Sequence, residues 1–159
     1  MSTAYRIQDE PSPGALGHLV VNPVFPLLAF MMTGAWLGVP WFVFNGFAMG
    51  SATRRKETVL ALLVVPGTLL LFILLGTLVK LEVLSKGAAP YAAVGVTVWK
   101  LAVGYVLYNL QQRSFALHEY YGGVVRNGAL VLVASVFLGM RLLVSLTGGN
   151  RFLLELLGP

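Results

Sequence analysis

Residues 58–79 read TVLALLVVPGTLLLFILLGTLV, and none of these 22 positions carries a charged side chain. A helix of about 18 or more apolar residues is long enough to cross the hydrocarbon core of a bilayer, which is about 30 Å thick. A second stretch, residues 19–53, is longer and equally free of charge. The sequence therefore predicts an integral membrane protein that lies in the lipid bilayer.

The composition supports this prediction. Hydrophobic residues make up 57% of the 159 positions and charged residues only 11%, whereas soluble domains average about 45–50% and about 25%. The net charge is +5, but the basic residues form no tract of five or more, so we expect no nucleic-acid partner. The chain has no cysteine, which excludes disulfides, thiol chemistry and thiolate metal sites.

Four apolar stretches predict an all-α, polytopic fold in which four transmembrane helices form an up-down bundle. The predicted organisation is a polar tail at 1–22, a transmembrane domain at 23–147 and a short interfacial tail at 148–159. Proline inside the first two spans, at Pro40 and Pro66, predicts two kinks. The spans are expected at about 24–49, 58–79, 90–112 and 127–146.

Small residues recur four positions apart in the first and fourth spans, a pattern that lets another helix approach closely. We expect them to pack against a second copy of the chain or against a larger membrane complex. The residues concerned are Gly34, Gly38, Gly46, Gly50, Ser135 and Gly139.

Basic residues predict the orientation in the membrane. Arg54, Arg55 and Lys56 form the only basic cluster in the sequence. Because cytoplasmic loops carry an excess of Lys and Arg, we expect loops 50–57 and 113–126 to be cytoplasmic. Both termini would then lie outside, and the membrane would be the cytoplasmic membrane.

Lys100 is the most informative residue, because thirteen uncharged residues precede it and twelve follow it. It lies about 15 Å from either end of its span, where a charge costs about 2.5–3.5 kcal/mol on insertion scales. Small and polar residues share its helix face, which is therefore predicted to avoid lipid. The predicted buried or pathway-lining set is Lys100, Thr97, Tyr108, Asn45 and Arg141. Of these, Arg141 is near enough to the end of its span for its long side chain to reach the interface.

The sequence leaves three candidate partners for Lys100. They are carbonyl groups freed by the kinks at Pro40 or Pro66, a polar side chain (Asn45 or a tyrosine), and a mobile anion. All six carboxylates lie outside the apolar spans, so no acidic partner is predicted. The same absence argues against a proton-coupled or cation-coupled transporter, which typically uses an intramembrane carboxylate.

The sequence shows no nucleophile–base pair, no glycine-rich phosphate loop and no metal-binding motif. No catalytic residue, metal or cofactor is therefore predicted, and we expect a protein that is not an enzyme. The first functional hypothesis is an oligomeric channel or transporter for an anion or small solute, with Lys100 in the pathway. The alternative is a membrane-embedded subunit or scaffold that docks a larger partner through its glycine-rich helix faces.

Overall fold

The computed structural model describes residues 14–85 and 87–159, in which six α-helices are joined by short connections. Three of the described helices, α3, α4 and α5, are long and apolar enough to cross a membrane. The predicted all-helical fold is thus confirmed for the described residues, with three candidate membrane-spanning helices, whereas the predicted count of four crossings and the up-down bundle are not confirmed. The helices are α1 (Val24–Thr33), α2 (Ala35–Met49), α3 (Arg54–Lys80), α4 (Ala89–Tyr120), α5 (Ala129–Thr147) and α6 (Arg151–Leu157).

The predicted first span, 24–49, is two helices that fold back on each other. The backbone breaks at Gly34, whose φ of 93° suits glycine and few other residues. The ring centroids of Phe30 and Phe42 are 6.5 Å apart, although residues twelve apart in one straight helix would be separated by about 18 Å. We call this unit the α1–α2 hairpin. The predicted kink residue, Pro40, lies within α2 and is not the point of the break.

The hairpin places the chain before α1 beside the loops that follow α2 and α4. Val21 N donates to Asn45 Oδ1 at 3.0 Å, and Arg126 N donates to Val20 O at 2.7 Å. This placement differs from the predicted one, in which a single crossing by residues 24–49 puts the N-terminal tail on the side opposite to these loops. Residues 1–13 of the predicted tail lie outside the described residues. Which end of the molecule faces the cytoplasm stays a prediction.

The hairpin lies in the middle of the fold, packed against α3, α4 and α5. The long helices turn most of their apolar side chains outward, and only 17% of the most apolar stretch of α3 and of α5 is buried inside the chain. Such a large exposed apolar surface is expected of a protein surrounded by lipid. The main core cluster combines residues of the hairpin, α3 and α4: Phe30, Ala35, Val39, Phe42, Ala61, Val64, Val103 and Leu107.

The last helix, α6, covers the tip of the hairpin. A Cβ added at Gly34 would collide with the backbone of Leu157 and Gly158, and Leu156 is buried. On the other side of α6, the ring of Phe152 lies 6.1 Å from that of Phe72 in α3. The tail predicted at 148–159 therefore packs on the bundle. Its location at the membrane interface stays a prediction.

The small residues predicted to pack helices do so within one chain. A Cβ at Gly38 would collide with Phe30, and a Cβ at Gly139 would lie 3.3 Å from side-chain atoms of Thr33 and Trp36. Gly34 contacts α6, as described above, so none of these three glycines is available to a second copy without rearrangement.

The other small residues of the predicted packing motifs also have contacts inside the chain. Gly46 faces the carboxylate of Glu57, and Gly50 ends α2 in a left-handed conformation with φ of 64°. Ser135 is buried and donates its hydroxyl to Val131 O within α5. An interface between copies would therefore need a surface other than these motifs.

Candidate functional site

Glu57 is a buried carboxylate at the start of α3, with only 2% of its surface exposed. Its Oε1 accepts hydrogen bonds from Ser51 Oγ and Thr53 Oγ1, both at 2.6 Å. Its Oε2 accepts from Gln111 Nε2 at 3.0 Å. Hydrogen bonds to a charged acceptor are stronger than neutral ones, and the positive end of the α3 dipole adds to their effect. A carboxylate outside the apolar spans is not predicted to be buried, and the position of Glu57 corrects that expectation.

Gln111 connects the carboxylate to the α1–α2 hairpin. Its Nε2 also donates to Phe42 O at 2.6 Å, and its Oε1 accepts from Asn45 Nδ2 at 3.3 Å. The Asn45 amide in turn bonds both the N–H and the carbonyl of Val21, each at 3.0 Å. We call Glu57, Ser51, Thr53, Gln111 and Asn45 the Glu57 network. It joins the chain before α1 to α2, α3 and α4 at the base of the hairpin.

A cavity of about 130 Å³ lies beside the Glu57 network, with Thr53, Arg113 and Ser114 in its wall. Ser114 Oγ lies 2.8 Å from Ser51 Oγ, which links the cavity wall to the carboxylate. This volume has room for water molecules. Because three donors already satisfy the carboxylate, the geometry favours a structural role for Glu57 over proton exchange.

Lys100 is the second buried charge, with 5% of its surface exposed. Its Nζ donates to Glu155 O at 2.8 Å and to Gly158 O at 2.9 Å. These carbonyls lie at the C-terminal end of α6, where the helix dipole is negative and a cation is favourable. Backbone carbonyls were among the predicted partners, but they come from α6 and not from the kinks at Pro40 or Pro66.

The structure separates the residues predicted as one buried polar set. Asn45 is fully buried, but it belongs to the Glu57 network and does not contact Lys100 through the hydrogen bonds described. Thr97 and Arg141 are exposed. Tyr108 is half-buried, and its ring stacks on Tyr105 with centroids 6.1 Å apart. Of the predicted set, therefore, only Lys100 and Asn45 are buried polar residues.

The predicted topology residues, Arg54, Arg55 and Lys56, are exposed in the first turn of α3. The guanidinium carbon of Arg54 lies 5.7 Å from the ring centroid of Phe47, within the range of a cation–π interaction. The same end of the molecule contains the Glu57 network and the chain before α1. This clustering is compatible with a cytoplasmic location for that end, which stays a prediction.

The local sequence before Glu57 indicates a polar helix start but does not predict the Glu57 network. Hydroxyl residues at Ser51 and Thr53 directly precede a helix that has an acid, Glu57, in its first turn. Glu57 lies four residues after Thr53, one more than in a capping box, so this pattern indicates a polar helix start and no particular network. The participation of Gln111, which is 54 residues away, has no comparable local signal.

Comparison of the chain with protein-family models, with curated proteins and with solved structures gives no match.

Proposed function

We propose that this chain is a non-enzymatic, membrane-embedded subunit or scaffold that associates through one face of α4. The observation that carries the proposal is the polarity of that helix. Its most apolar stretch is less apolar than those of α3 and α5, yet only 28% of it is buried inside the chain. Polar groups facing lipid are unfavourable, and a neighbouring helix would remove them from lipid.

The face in question carries small and polar side chains, spaced alternately three and four residues apart as in a helix–helix seam. A Cβ at Gly95 would meet no atom within 4 Å, so another helix has room to approach there. Asn109 uses its Nδ2 within the helix, to Tyr105 O at 3.0 Å, which leaves its Oδ1 to accept from a neighbour. We call this surface the outer face of α4; it consists of the exposed residues Gly95, Val98, Ala102, Tyr105 and Asn109.

The second candidate is an oligomeric channel or transporter for an anion or small solute that uses Lys100. One observation favours it: the broken backbone of the hairpin meets α6 beside Lys100, and broken helices deep in a membrane occur where they are buried or line a cavity. Two observations count against it. The first is that the Lys100 ammonium already donates to carbonyls of α6 and Gly158. The second is that residues two apart on a helix do not share a face, so Lys100 points away from Val98 and Ala102 on the outer face of α4.

Site-directed cross-linking tests the first proposal, and a chain without cysteine is well suited to it. In native membranes, an A102C variant carrying a thiol-attached photo-cross-linker should give a protein adduct. A matched A134C variant, which places the label at an exposed alanine of α5, should give much less. A doubled mass would identify a second copy, and another mass would identify a different subunit. Equal protein adducts, or none, at both positions would refute association through α4.

The variant K100M tests the second candidate in liposomes. A channel or transporter that uses Lys100 should show changed anion flux, with the oligomeric mass in mild detergent unaltered. Unchanged flux, or no flux in either protein, would remove the candidate. The control is K80M, because Lys80 is exposed at the end of α3 and far along the sequence from Lys100.

A further inference from the structure

A groove of about 390 Å³ lies between α2 and the start of α5, and the outer face of α4 contributes no residue to it. Its volume is within the range of about 300–1,000 Å³ that is usual for ligand pockets. Its long wall is apolar and includes Leu37, Trp41 and Phe44 of α2 and Val131 of α5. Arg126 and Asn127, in the connection before α5, provide its polar part.

Apolar side chains line the groove from the hairpin base, where Leu19 and Val21 contribute, towards the tip, whereas Arg126 and Asn127 lie at the base alone. Leu37 is three residues from the hairpin tip at Gly34, and Phe44 is about 10 Å further along α2 towards its base. Arg126 lies at the base, because its backbone N–H bonds Val20 O at 2.7 Å just before the hairpin begins. The groove therefore starts at a charged side chain at the end of a membrane-crossing helix and continues along apolar side chains towards the hairpin tip.

The positive groups at the base of the groove are held in place. Arg126 Nε donates to His18 O at 3.2 Å, which orients the guanidinium in addition to the backbone bond. Asn127 Oδ1 accepts from Ala129 N at 2.9 Å at the first residue of α5, so the positive end of that helix dipole is also located here. Arg126 remains exposed overall, and its guanidinium has five N–H donors in total.

We propose that this groove binds an anionic phospholipid, with an acyl chain along the Leu37–Phe44 wall and the phosphate beside Arg126. The shape and the charge both point to this class of ligand. A soluble anion would leave the apolar wall uncovered, and a neutral lipid would give the guanidinium a weaker partner than an anionic headgroup. A basic residue near a membrane surface strengthens the attraction of anionic lipid by roughly fivefold.

Native mass spectrometry of the whole chain, released from mixed micelles, tests the proposal with two lipids that have identical acyl chains. Phosphatidylglycerol should remain bound to the wild-type protein about fivefold more than phosphatidylcholine. In R126Q this preference should fall to near unity, whereas R126K should keep most of it because the charge remains. The matched control is R113Q, which removes an exposed basic side chain of α4 that is not in the groove, and it should leave the preference unchanged.

The variant V131W tests the apolar half of the site, because the larger ring would occupy the groove. It should reduce retention of both lipids, and circular dichroism should show unchanged helix content. Equal losses of preference in R126Q and R113Q would indicate general surface charge and overturn the proposal. Unchanged lipid retention in V131W would also overturn the proposal. So would a dimer that V131W dissociates without loss of lipid, because the groove would then be occupied by a second copy of the chain.

Discussion

Glu57 and Lys100 are both buried, but the protein satisfies their charges in different ways. The Glu57 carboxylate accepts hydrogen bonds from three side chains, those of Ser51, Thr53 and Gln111. The Lys100 ammonium donates to two backbone carbonyls of one short segment. The buried carboxylate of Glu57 is thus stabilised by hydrogen bonds from neutral side chains, whereas Lys100 also has a favourable Coulombic interaction with the carboxylate of Glu155.

The two charges also stabilise different parts of the fold. The Glu57 network joins the base of the α1–α2 hairpin to α3 and α4, and its side chains come from residues 45–57 and from Gln111, which is 54 residues beyond Glu57. Within residues 14–85 and 87–159, the hydrogen bonds of the Lys100 ammonium reach only α6 and the residue after it, which cover the hairpin tip. Loss of the carboxylate would thus affect several elements at once, whereas loss of the ammonium would affect mainly one end of the chain. The following predictions test this difference.

The largest effect is expected for E57L. The substitution removes the cost of burying a charge, but Ser51, Thr53 and Gln111 each lose one hydrogen bond to the carboxylate, at about 1–3 kcal/mol for each bond that no other acceptor replaces. We expect the free energy of unfolding to fall by about 3 kcal/mol or more, measured by denaturation in one detergent. The control is E119L, because Glu119 is exposed near the end of α4 and its loss should cost within about 0.5 kcal/mol. Equal effects of the two substitutions would contradict the structural role of the Glu57 network.

A smaller effect is expected for G34A, at the contact between the hairpin tip and α6. Alanine there would have φ of 93° and would collide with Leu157 and Gly158. The control is G148A, where φ is 59° but a Cβ meets no atom within 4 Å, so only the left-handed penalty of about 1–2 kcal/mol applies. We expect G34A to cost about 1 kcal/mol more than G148A in the same unfolding measurement, because it adds a steric clash and because φ of 93° with ψ of −171° is a conformation that essentially only glycine adopts. If G148A lowered the free energy of unfolding as much as G34A, the contact between the hairpin tip and α6 would not contribute measurably to stability.

The comparison also shows which features the sequence predicts. Charge-free stretches such as 58–79 predict lipid-embedded helices, because length and polarity alone decide whether a helix suits a bilayer. The prediction of a single crossing by residues 24–49 is wrong, because a glycine such as Gly34 occurs both in close-packing motifs and in hairpin turns. Only tertiary contacts, such as that of Phe30 with Phe42, distinguish the two. The partner of Lys100 was out of reach for a similar reason. Carbonyls of residues near the end of the chain carry no sequence signal, since every residue has one.

The smallest of the three effects on stability is expected for K100M, and its location is more informative than its size. Two carbonyls lose their donor, but removal of the ammonium also removes the cost of burying a charge. We expect the free energy of unfolding to fall by no more than about 1–2 kcal/mol. Amide hydrogen exchange should become faster in α6, because its carbonyls no longer bind α4, and should stay unchanged at Val21 and around Asn45. Faster exchange at the hairpin base would mean that the two buried charges are coupled, and the division of the fold into base and tip would then be wrong.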